Sequence, residues 1–221
     1  IFLDISSAGL PVAMSKIIKE YNTLGMMDAK VRAYKLGKRV VNFVSVAAFI
    51  CLFLFAGNIA SLILGDLQGG NTISDVAFVI RCVSFAILVI PFLSISKGYL
   101  QGHNIINVSS ISQVIEQVVR IAVILGGSYI ALNIFHLSLT TSVGIAVFGA
   151  FCGGIAAILY IVKNMHKHKK ELSFTGDIKK DDISDSEIIK KILSYAIPFI
   201  IIDMVVSSTL MSMGMMMLPP T

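Results

Sequence analysis

Tryptophan is absent from this 221-residue sequence, and charged residues supply only 14% of it. A soluble domain carries roughly 25% charge, so a sequence this poor in charge and 56% hydrophobic is not an ordinary soluble globule. Its mean hydropathy of +0.85 places it in a bilayer. Without Trp, the aromatic belts that mark membrane interfaces fall to six Tyr. Cysteine is scarce too: Cys51, Cys82 and Cys152 lie in apolar runs without metal or redox spacing and read as small packing residues. Also missing are a nucleotide-binding loop, a G-x-S-x-G elbow, zinc-ligand spacing and a Ser-His-Asp arrangement in a fitting context. Catalysis is therefore not indicated, and no cofactor or metal is called for. His166 and His168 stand in a run of Lys without converging partners, and the Met-rich stretch Met211 to Met217 suits adaptable packing better than copper. No cleavable leader is visible, and the first residues already resemble a helix interior, so the chain reads as a fragment cut at both ends.

What the sequence does have is long apolar runs. About 20 such residues cross a ~30 Å hydrocarbon layer as a helix. Runs of that kind predict spans near residues 1–15, 40–64, 76–96, 108–132 and 139–162, a polar loop at 166–187, and a further, truncated helix at 188–217. The fold class is an all-α polytopic membrane protein with about six transmembrane helices. The net charge of +5 does not signal nucleic acid, because Lys and Arg gather at 16–39 and 163–191 while the loops at 65–75 and 133–137 have none. That alternation follows the positive-inside rule and predicts that the basic segments are cytoplasmic.

Ionisable groups inside such spans are costly, and by default they mark a pathway or a coupled pair. The stretch Ser112 to Arg120 carries two, Glu116 and Arg120, which with Gln113 take the i, i+3, i+7 positions of one helix face. Arg81 can either snorkel to the outer interface or face a cavity. Lys97, in the stretch beginning at Ser94, is either an anchor at the inner membrane surface or part of the path. Asp203 and Asp4, acids within predicted spans, are candidates for binding a coupling cation or proton. Gly149, Gly153 and Ala157 are spaced to let another helix approach closely. Ser184 and Glu187 form a capping-box pattern that opens a new helix.

Three stretches carry a family resemblance. Ser6 to Gly25, S-S-A-G-L-P-V-A-M-S-K-I-I-K-E-Y-N-T-L-G, resembles the S-x-A-G-[IL]-P-x-A-[IM]-S-K-x-x-x-E-Y-N motif of the polysaccharide biosynthesis proteins related to stage V sporulation protein B and to Gram-positive MurJ-type flippases. Ser94 to Gly102 is similar to the family's S-x-x-K/R-G-Y-x-Q-G pattern, with Lys97 where Arg is common. Val108 to Arg120 is similar to its V-S-x-x-S-Q-V-I-E-Q-V-V-R run. The resemblance covers essentially the whole chain. It implies a MATE-like member of the multidrug/oligosaccharidyl-lipid/polysaccharide exporter (MOP) superfamily, with two pseudo-symmetric lobes and about 14 spans, of which this chain would supply most of the first lobe. The closing M-L-P-P-T departs from what the family's seventh span leads one to expect.

The implied function is the flipping of an undecaprenyl-pyrophosphate-linked saccharide, lipid II or a related polysaccharide precursor, from the cytoplasmic to the outer leaflet of the bacterial plasma membrane by alternating access. A pyrophosphate needs cationic donors in a low-dielectric cavity, and the Arg fork suits phosphate oxygens. Arg120 is the first candidate and Arg81 the second, with Glu116 either releasing Arg120 to the substrate or holding it permanently. Partners would be the lipid-linked saccharide, membrane lipids and a coupling cation or proton, and no nucleic acid. Two alternatives stay open: a cation-coupled multidrug exporter of the same superfamily, and a non-transporting membrane scaffold in envelope assembly.

Overall fold

The computed structural model describes residues 2–64, 72–136, 138–168, 172, 183–198 and 201, and regular structure among them is helical throughout. The helices are α1 (Phe2–Thr23), α2 (Met27–Leu54), α3 (Ala56–Leu64), α4 (Ile73–Gly102), α5 (Ile106–Ala122) and α6 (Leu139–Lys167), followed by α7 at 185–198. Beyond Ala122, α5 continues through π-helical turns at Val123–Gly127 and Ile130–Ile134. Among the described residues, α2, α4, α6 and the stretch Ile106–Ile134 are long and apolar enough to cross a membrane. At 1.5 Å per residue, their 28 to 30 residues reach roughly 42–45 Å, so each also projects turns beyond the hydrocarbon.

Those projecting turns explain the largest departure from the sequence reading. The basic stretch 16–39, expected as a connector, is almost wholly helical: α1 continues to Thr23 and α2 begins at Met27. Lys, Arg and Glu are good helix formers, so a change from apolar to charged residues moves a helix into water without ending it. What ends α1 is Gly25, at φ +72°. There the Met26 N–H reaches the Tyr21 carbonyl at 2.9 Å, the bonding of a glycine-terminated helix. The α4–α5 turn uses Asn104 at φ 61°, with the Ile105 N–H on the Leu100 carbonyl at 3.0 Å. Helix starts are capped as well. The Asp75 carboxylate accepts from the Thr72 N–H at 3.0 Å to open α4. The Glu187 carboxylate accepts from the Ser184 N–H at 3.4 Å to open α7, as the capping-box spacing predicts.

The chain forms two compact units. One comprises Ile1–Arg39, Ser94–Ile106 and Lys170–Thr221. In it, α4 lies against α1 through two glycines four residues apart. A Cβ on Gly98 would lie 2.5 Å from the Pro11 carbonyl oxygen, and one on Gly102 2.6 Å from Ile18 Cβ. Gly98 of one family-like stretch thus packs against the G-x-P segment of another, and Gly102 against that stretch further along α1, at Ser15 and Ile18. Beside them Tyr34 stacks on Tyr99 with centroids 4.1 Å apart, and Tyr99 meets the His103 ring at 4.4 Å.

His103 Nδ1 donates to the Tyr99 carbonyl at 2.9 Å, which leaves Nε2 buried without a hydrogen-bond partner. Burial, assisted by the Lys30 ammonium, holds His103 below its ordinary pKa of 6.5. A histidine depressed in the fold gives stability that is complete above the unfolded value and is lost as pH falls through it. The melting temperature of the purified full-length protein should therefore drop between about pH 7.5 and about pH 5.5, and His103→Gln should flatten that drop.

The other unit comprises Val40–Leu93 and Asn107–Lys169. Its aromatic centre is Phe85, which meets Phe49 and Phe53 at 5.3 and 6.1 Å and Phe148 and Phe151 each at 5.8 Å. Gly154 of α6 faces Val89 of α4, where a Cβ would come within 2.9 Å of Val89 Cγ1. This packing fixes α6 as the wall against which α5 is laid.

Candidate functional site

The buried stripe of α5 is Val108, Ser109, Ser112 and Glu116, the three- and four-residue spacing of one helix face. Ser112 Oγ donates to the Ser109 carbonyl at 2.6 Å, so its hydroxyl fits an interior position. Glu116 is only 6% exposed. One turn on, Arg120 Nη2 donates to Glu116 Oε1 at 2.7 Å. This pair sits within the membrane-long stretch Ile106–Ile134. Arg120 Nε is buried and has no hydrogen-bond partner among the described residues. An Arg fork presents five donors, and here a charged acceptor engages one edge while a second, buried donor stays unused.

The small residues of α6 hold that geometry. A Cβ on Gly153 would lie 2.5 Å from the Glu116 carbonyl oxygen and 3.4 Å from Arg120 Cβ, and one on Gly149 would lie 3.1 Å from the Arg120 carbonyl oxygen. The partner for the close approach read from the Gly149–Gly153 spacing is therefore the Glu116–Arg120 turn itself. Three residues after Arg120 the helix widens into the π turn Val123–Gly127. Such turns shift the side-chain register and often occur at functional sites.

Gln113, expected on the Glu116 face, is exposed, as is Gln117; it lies one helical step beyond Ser112, and the serines take the buried face instead. Arg81 is exposed, its guanidinium carbon 5.8 Å from the Phe53 ring centroid. Ser84 Oγ donates to the Arg81 carbonyl at 2.6 Å. Lys97 and Ser94, respectively 8% and 2% exposed, belong to the unit that does not contain Arg120. The burial of Lys97 does not suit a surface anchor. Asp203 and the Asp4 side chain lie outside the described residues. The structure thus brings Glu116 and Arg120 together, while Gln113 and Arg81 are exposed.

One buried cation escaped the sequence reading. Lys30, 4% exposed, donates to Asn22 Oδ1 at 3.3 Å. Its position between Ala29 and Ala33, both fully buried, is the signal that was available: small residues on one helix face mark close packing even where a Lys shares it.

Comparisons with known proteins agree with this architecture. Residues 1–218 match the family described as "Polysaccharide biosynthesis protein". The chain is 33% identical over 209 residues to the lipid II flippase MurJ of Bacillus subtilis (strain 168), covering 93% of this chain and 38% of that protein. It is 24% identical over 195 residues to the stage V sporulation protein B of the same strain, covering 88% and 35%. The chain thus spans well under half the length of these relatives. Among solved structures, a MOP superfamily transporter from Pyrococcus furiosus Vc1 (DSM3638) aligns with a TM-score of 0.72 at 17% identity, covering 95% of this chain and 44% of that one. An inward-facing multidrug resistance MATE family transporter of the same superfamily aligns at 0.66 and 18% identity, covering 91% and 43%. On its sequence match the chain belongs to the polysaccharide biosynthesis protein family.

Proposed function

We propose that the full-length protein is a flippase that moves an undecaprenyl-pyrophosphate-linked saccharide, lipid II or a related precursor, from the cytoplasmic to the outer leaflet of the bacterial plasma membrane, with the basic segments 16–39 and 163–191 on the cytoplasmic side. The observation that carries this reading is Arg120. It is a guanidinium within a membrane-long helix, tied to Glu116 by one edge and holding a buried Nε–H without an acceptor among the described residues. A phosphate oxygen accepts two donors from one fork, and such charge-assisted bonds gain strength where water is scarce. Glu116 keeps the empty fork oriented and partly neutralised, and the pyrophosphate competes with it for the same group. The 33% identity to a lipid II flippase supports the same substrate class. Asp203 and Asp4 are the proposed seats of a coupling cation or proton.

The test is transport of labelled lipid II by the full-length protein in proteoliposomes, read as accessibility at the far leaflet. Protein-dependent flipping is expected. Transport of a cationic dye without flipping of lipid II would replace this reading with multidrug export, and transport of neither would replace it with a scaffold.

A further inference from the structure

The E-Y-N end of the first family-like stretch lies far along α1 from its G-x-P segment. In its own compact unit it does something specific. Glu20 Oε1 accepts from Lys191 Nζ of α7 at 2.6 Å, and Glu20 Oε2 accepts from the Tyr195 hydroxyl at 3.0 Å. Lys16 Nζ stands 4.5 Å from the Tyr195 ring centroid, and Lys191 Nζ stands 5.1 Å from that of Tyr21, which is itself buried. At the other end of α7, Arg32 of α2 donates from Nε to Asp185 Oδ1 at 2.9 Å and from Nη2 to the Ile183 carbonyl at 2.9 Å, and is held in place by Asp28 of its own helix. Asn22, the last residue of E-Y-N, accepts from the buried Lys30 of α2, which ties the two arms of the hairpin together beneath α7.

Two features distinguish this docking from core packing. The apolar part is one narrow stripe, Ile188, Ile192 and Ala196, at the four-residue spacing of a single helix edge. The polar part is solvent-accessible: the Glu20 and Lys191 side chains are each about a third exposed, and Asp185 more than half. Exposed ion pairs contribute little individually and are screened by salt. Helix α7 is thus held by many weak, water-facing contacts around a thin apolar seam, an arrangement suited to release.

We propose that α7 is held on the α1–α2 hairpin by a releasable electrostatic latch, with Glu20 gripping Lys191 and Tyr195 at one end and Arg32 gripping Asp185 at the other, and that α7 undocks during the working cycle. The docking follows from contacts within one unit; the place of undocking in a transport cycle rests on the flippase reading above.

The reporter is Ala196→Cys, a small change at a position buried by docking, in a cysteine-free version of the full-length protein, labelled with a hydrophilic maleimide in membranes. Labelling of Ala196→Cys is expected to be slow at low salt and several-fold faster at about 0.5 M salt. It should be several-fold faster at low salt in Glu20→Lys or Lys191→Glu, and return towards the parent rate in the charge-swapped pair. Growth complementation should fall in each single reversal and recover in the swap. Labelling that neither salt nor charge reversal moves would make α7 a permanent part of its unit and overturn the latch, as would a swap no better than its single reversals. These labelling rates do not depend on which lipid is carried. A salt- and charge-sensitive latch in a protein that fails to flip lipid II would sink the flippase reading alone.

Discussion

Replacing Arg120 should abolish growth complementation in a strain deprived of its own flippase, and the substitution must be made in two forms for the result to be interpretable. Arg120→Ala alone takes the guanidinium away from the Glu116 carboxylate, which is 6% exposed. Breaking a buried pair by removing one member typically costs about 3–5 kcal/mol, so Arg120→Ala is expected to lower stability as well as activity. Arg120→Gln with Glu116→Gln removes both charges and keeps a polar amide at each position, and its expression and melting temperature should stay closer to the parent than those of Arg120→Ala. Activity should be lost equally in both. A charge-assisted hydrogen bond is worth about 1.5–3 kcal/mol, so losing one donor to the headgroup predicts about a ten- to hundredfold drop. Arg120→Lys keeps the charge but not the planar fork, and should recover only part of the activity. Full complementation by the paired glutamine variant would make Glu116–Arg120 a structural pair and nothing more.

Gly153→Ala should be the most damaging single-methyl change in the described part of α6. Its new Cβ would stand 2.5 Å from the Glu116 carbonyl oxygen, a backbone atom that cannot rotate away, so α5 and α6 must separate. Overpacking of this kind costs about 1–3 kcal/mol, and the separation displaces Arg120, whose Cβ lies 3.4 Å from the same point. Gly149→Ala meets the Arg120 carbonyl oxygen at 3.1 Å, a tighter than ordinary contact that a small shift relieves, and should be milder. Gly57→Ala in α3, where nothing lies within 4 Å, is the control. It should be neutral or slightly stabilising because alanine favours a helix over glycine. Melting temperatures of the full-length variants in detergent should fall in the order Gly57→Ala, Gly149→Ala, Gly153→Ala, from highest to lowest. A Gly153→Ala protein as stable as the parent would mean that the close approach of α5 and α6 is absent in the membrane.

Hydropathy located most of the long helices because membrane spans must satisfy their own backbone hydrogen bonds and so are written as continuous apolar runs. The Glu116–Arg120 pair was equally legible, since a four-residue spacing fixes proximity on any helix. Three things were not legible. The stretch 16–39 reads as a loop because charge was taken for irregularity, although Gly25 was the one residue there able to end a helix cheaply. Burial of Lys97, 8% exposed, is not fixed by its place in the sequence, which suits a surface anchor equally well. The third is the partner of Gly149 and Gly153. Small-residue spacing announces a close contact without saying which helix fills it. The site is therefore a product of packing laid over a pair that the sequence already specifies.

The central claim is that Arg120 presents its fork to the anionic headgroup of a lipid-linked saccharide. The most direct measurement is the rate of lipid II flipping by the full-length protein in proteoliposomes, compared between the parent and the Arg120→Gln, Glu116→Gln protein. A rate at least about tenfold lower, with the variant folded and inserted as the parent is, is the predicted result; flipping at the parent rate would contradict it.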